Sequence, residues 1–149
     1  MENNEQRNEI IRIFRKYERL GLSSKGLNPI QIYKKIDVLC VSRRSKLDML
    51  AVFDTLRMLA LQNDTESLEI LYRVYFGCPE YRLTKIEMGR RVALCARETF
   101  CDERTVYRRL ERIRKIYFQI RQQEGLLWDG VSPYSLRKIV EKMDKTTKK

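Results

Sequence analysis

Only 6 glycines and 3 prolines punctuate this chain of 149 residues, and that scarcity of turn-formers is the tightest constraint on its fold. A sandwich or barrel needs a turn about every 8–12 residues, which this chain cannot supply. Its apolar residues instead recur at three- and four-residue steps, as in Val106, Leu110, Ile113, Tyr117 and Ile120, the spacing of a helix with one buried face. Leu, Ile, Arg, Lys and Glu dominate, and most of these are strong helix formers. The expected fold is an all-α helical bundle. A hydrophobic share of 43% is enough to build its core.

The chain has no histidine, which removes the Ser-His-Asp triad, Cys-His nucleophiles and imidazole metal sites together. Cys40, Cys78, Cys95 and Cys101 form no Cys-x-x-Cys pair, so no metal is expected, and a reducing compartment suits them. The acids Asp37, Asp48, Asp54 and Asp64 read as caps and surface charges, and no Gly-rich phosphate loop is present. The expectation is a protein that is not an enzyme and takes no cofactor. The polar, acidic start Met1–Glu5 is unlike a signal peptide, and no run approaches the ~18 apolar residues of a membrane span. The cytoplasm is the expected location.

Read along its length, the sequence predicts a helix from Asn4 to Leu20 stopped by Gly21, then a loop to Gly26. Asn28–Pro29 starts a second helix. Ser45 with Asp48 forms a weak capping box for a third, ending near Leu61, and Asn63–Asp64 breaks it. A fourth helix covers Thr65–Phe76, with Leu68, Leu71, Tyr72 and Tyr75 on one side. Thr84 with Glu87 caps a fifth, with apolar Ile86, Val92 and Leu94. Asp102 caps a long sixth that Gly125 stops. Trp128–Gly130 reads as a turn, Ser132–Pro133 as the start of a last short helix, and Asp144 onward as a basic, frayed arm. The organisation expected is a helical region 1–62 that covers a core or oligomerises, a second helical unit 63–124, and a short helix with basic tail, 125–149.

Charge singles out the second half. Residues 1–79 hold 13 Lys+Arg and 10 Asp+Glu, a net of +3, and residues 80–149 hold 18 and 10, a net of +8, which together give the chain's +11. Between Asp102 and Arg121 the apolar stripe forces Arg104, Thr105, Arg108, Arg112 and Lys115 outward. A guanidinium-rich face on a packed helix suits the DNA major groove, and equally describes a solvated bundle helix.

The string Asp102–Glu103–Arg104–Thr105–Val106–Tyr107–Arg108–Arg109–Leu110–Glu111–Arg112, preceded by the aromatic run Glu69–Phe76, resembles the promoter-reading C-terminal domain of sigma factors. It is similar above all to the sigma-like regulators of phages and mobile elements in Gram-positive bacteria. The resemblance covers about residues 47–121 and implies a helix-turn-helix. Carried over by position, it puts Arg104, Thr105, Tyr107 and Arg108 at base edges and phosphates, and Arg109 and Arg112 at the DNA backbone. Thr84, Lys85, Arg90 and Arg91 become phosphate contacts of the first paired helix, with solvated surface the equal alternative for Arg90 and Arg91. One departure stands out: no glycine precedes Asp102, so either the first helix is extended or the connection is an unusual loop. The expected function is sequence-specific regulation of transcription, with double-stranded DNA as partner and RNA polymerase or a second copy of the chain as further partners. The competing reading is a nucleic-acid-guided assembly module, such as a small terminase-like subunit.

Overall fold

In the computed structural model, residues 4–24, 26–77 and 84–127 are described. They form α1 (Asn4–Arg19), α2 (Pro29–Leu39), α3 (Arg43–Leu61), α4 (Thr65–Val74), α5 (Lys85–Glu98) and α6 (Glu103–Leu127), with no strand among them. The described residues are therefore all-helical in their regular structure, and no described helix is long and apolar enough to cross a membrane. The expected turn at Trp128–Gly130, the helix from Ser132–Pro133, the arm from Asp144, and Cys78, Pro79 and Leu83 lie outside the described residues.

Local chemistry sets most boundaries. Asn28 accepts the Gln31 amide and Gln31 accepts the Asn28 amide, a full capping box with Pro29 following. α3 starts earlier than its sequence suggests. Ser42, not Ser45, is the N-cap, its hydroxyl accepting the Ser45 amide at 3.1 Å. Asp48 is thus free of capping and reaches Arg121 of α6 at 2.8 Å. α6 runs through Gly125, because one glycine weakens a helix without ending it.

α1, α3 and α5 end by the same closure, in which a left-handed residue lets two amides turn back onto the last carbonyls. At α1 the residue is Gly21 (φ 76), with the Leu22 amide 3.2 Å from the Tyr17 carbonyl. At α3 it is Asn63 (φ 55), with the Asp64 amide 2.9 Å from the Leu59 carbonyl. At α5 it is Phe100 (φ 57), with the Cys101 amide 3.0 Å from the Ala96 carbonyl. Glycine adopts this conformation freely and asparagine tolerates it, whereas a phenylalanine there is strained.

α6 is the hub. It packs on α3, α4 and α5, while α1 and α2 pack on α3. Its stripe Val106, Leu110, Ile113, Tyr117 and Ile120 is buried throughout, as the spacing predicts. One buried cluster runs from Ile10 of α1 to Ile120 of α6. At its centre Phe14 meets Tyr75, Phe76 and Tyr117 with ring centroids 5.1, 6.2 and 5.6 Å away. Glu18 of α1 also accepts the Gly77 amide just past α4 and pairs with Arg15. Two expectations for apolar faces change. On α4, Ile70 and Val74 are buried, while Tyr72 is partly exposed. On α5, Val92 is buried with Cys95 and Ala96, but Ile86 and Leu94 face solvent.

Candidate nucleic-acid interface

α5 and α6 are joined by residues 99–102, and the missing glycine is replaced by Phe100. The first helix is therefore not extended to Phe100. It stops at Glu98 and the connection is a tight turn. Thr84 caps α5 by accepting the Glu87 amide at 3.2 Å. Asp102 caps α6, its Oδ1 accepting the amides of Arg104 at 2.8 Å and Thr105 at 3.2 Å. With the inner stripe buried, Arg104, Tyr107, Arg108 and Lys115 are fixed on the outer face of α6, and Thr105 is half-buried beside the cap.

The cations of this unit divide into two sets. Arg109 pairs with Glu66 and, at 3.6 Å, with Asp64. Arg112 donates to Asp64 at 2.9 Å and to Gln62 at 2.6 Å. Arg91 donates to the carbonyls of Val74 at 2.9 Å and Phe76 at 3.2 Å, closing the end of α4. These side chains, expected from the resemblance at DNA phosphates, are turned toward the bundle. Lys115 sits near Glu111 at 3.5 Å. Among the described residues, the charged ends of Arg104, Arg108, Lys85 and Arg90 have no such partner.

Asp64 is where the inward set converges. It caps α4 through Ser67, its carboxylate taking the Ser67 amide at 3.2 Å and hydroxyl at 2.7 Å. Burial acts to raise its pKa, but Ser67, Arg112 and Arg109 outweigh it and hold the carboxyl below its ordinary 3.8. This junction of α3, α4 and α6 has no sequence signal, because the partners are separated by 43 to 50 residues.

Asp64→Ala is expected to lower stability by about 2 kcal/mol, roughly 1 from the lost cap and the remainder from ion pairs weakened by partial exposure. Asp64→Asn keeps a capping oxygen and should cost less than half of that. A depressed native pKa means this contribution is complete above the unfolded value and lost as pH falls through the native one. Urea midpoints should therefore separate wild type from Asp64→Asn at pH 7 and draw together as the pH is taken below 3.8. A gap that stays unchanged however far the pH is lowered below 3.8 would show that the carboxylate charge contributes nothing.

Comparison of the chain with family models, curated proteins and solved structures returns no match.

Proposed function

We propose that this protein is a sequence-specific DNA-binding regulator of transcription. In this reading α5, the turn at Phe100 and α6 act as a helix-turn-helix, and the N-terminal half of α6 enters the major groove. The observation that carries it is the division of the arginines. Arg91, Arg109, Arg112 and Arg121 have partners within the bundle, while Arg104 and Arg108 stand one helical turn apart beside the Asp102 cap with none among the described residues. Guanidinium groups left unpaired at the start of a rigidly seated helix can donate two bonds to a guanine edge or bridge phosphates. Tyr107 and Thr105 flank them, and the helix N-terminus favours a phosphate close by. Lys85, Arg90 and the exposed end of Thr84 would then meet the backbone of the neighbouring strand. Arg109 and Arg112 would act on DNA through the position of α6, not by touching it.

The similarity of the Asp102–Arg112 string to the sigma promoter-reading domain supports the same assignment and makes RNA polymerase the natural protein partner. Palindromic half-sites read by two copies fit it as well.

Selection of bound duplexes from a random pool tests the reading. A regulator enriches a motif and binds it at least ~10³-fold more tightly than unrelated DNA at the same salt. An assembly module guided by charge alone leaves the pool flat, with an affinity that falls linearly in log salt and shows no preference. A flat pool would overturn the proposal.

A further inference from the structure

α5 is amphipathic in two senses. Val92, Cys95 and Ala96 are buried in the bundle, and on the opposite side Ile86, Arg90, Leu94 and Arg97 fall within an arc of about 80°. On that outer side Ile86 is 70% exposed and Leu94 51%, and the turn adds Phe100 at 96%. Single exposed apolar residues are ordinary, but these line up over about 20 Å of one helix and its turn.

Phe100 supplies an independent reason to read the stripe as functional. The closure of α5 requires a left-handed residue, a role that Gly21 and Asn63 fill elsewhere in the chain without a large side chain. A phenyl ring there strains the backbone and buries nothing in return. The stripe is also basic, since Arg90 and Arg97 have no ion pair among the described residues while neighbouring Glu98 is held by Arg73. DNA phosphates would attract the two arginines but gain little from Ile86, Leu94 and Phe100. A second copy laid on the same face would crowd four guanidinium groups together.

The geometry points to a protein-docking surface on the outer face of α5 and its turn, with an acidic amphipathic helix as occupant. Apolar side chains of that helix, spaced at i, i+4 and i+7, would cover Ile86, Leu94 and Phe100, and its Asp or Glu residues would pair with Arg90 and Arg97. The inference does not depend on the DNA reading. Only Arg90 is shared between the two surfaces.

The test uses the full chain and a synthetic peptide of about 18 residues with Leu along one helical face and Glu elsewhere, against a scrambled peptide of equal composition. Binding followed by fluorescence anisotropy should favour the amphipathic peptide by about tenfold or more. Leu94→Gln combined with Phe100→Gly should weaken it by a similar factor, with no fall in melting temperature, because glycine suits the left-handed turn. Affinity for a random duplex should stay within about twofold. Arg97→Glu, at an exposed position, is the second variant and should weaken the acidic peptide while sparing the fold. Equal binding of the scrambled peptide would overturn the proposal. So would a parallel loss of duplex affinity in the Leu94/Phe100 variant, which would make the stripe a nucleic-acid contact. A chain that is dimeric as wild type and monomeric as that variant would assign the face to a second copy instead. Failure to bind any DNA would leave the peptide result standing, so the two readings fail separately.

Discussion

Phe14→Ala is expected to destabilise the protein by about 3–5 kcal/mol, the usual cost of removing a fully buried ring. The ring has no exposed surface and lies against three aromatic rings from two parts of the chain, Tyr75 and Phe76 at the end of α4 and Tyr117 of α6. Those rings are fixed by helices that cannot all close on the void, so most of the cavity would persist. Against a typical total of about 5–15 kcal/mol, the loss is a large fraction of the whole. Urea unfolding followed by circular dichroism measures it, and the shape of the curve carries further information. Because α1 and α6 share one buried cluster, the entire transition should move to lower urea with an unchanged slope. Two separate transitions, with only the first displaced, would mean that residues 1–62 fold as a unit of their own.

Arg108→Ala is expected to cost about 1–3 kcal/mol in binding to the preferred duplex, with little change for unrelated DNA. Its guanidinium has no partner among the described residues, so the melting temperature should not move. Arg112→Ala makes the contrast. That side chain bridges to Asp64 and Gln62, and its loss should lower stability by about 1 kcal/mol. It should remove no preference for one base over another. Duplex titrations beside thermal melts separate the two effects. Intact specific binding after Arg108→Ala, or a lowered melting temperature, would mean that α6 does not present this residue to a groove.

The helices were legible from sequence wherever spacing and caps agreed. The α6 stripe is the clearest case, since five apolar positions at helical spacing, with Asp102 before them, leave one buried face. Asn28–Pro29 and Thr84 are equally plain, because each cap acts on an amide three residues away. The α3 start lies before the Ser45 that the sequence suggests, because Ser42, three residues earlier, offers the same hydroxyl and nothing local ranks the two. In the sequence Ile86 and Leu94 read as core residues, because hydrophobicity does not say which side of a helix has a neighbour. The sequence leaves the turn before α6 open between two alternatives, since a left-handed phenylalanine runs against the residue preferences of such turns. The clamp of Arg109 and Arg112 was out of reach for a different reason. Helical spacing shows which residues share a face, but only the packing of α3 and α4 beside α6 brings Gln62, Asp64 and Glu66 within reach of it.

The contact of Phe14 with Tyr117 also bears on how the chain is made. Synthesis runs from the N-terminus at about 5–20 residues per second, so α1 leaves the ribosome some 5–20 s before the ring that completes its packing. Through that interval Phe14, buried in the finished molecule, lacks the Tyr117 ring. Nascent α1 can pack on α3 well before then, so Phe14 is the point at which its burial waits for the last described helix.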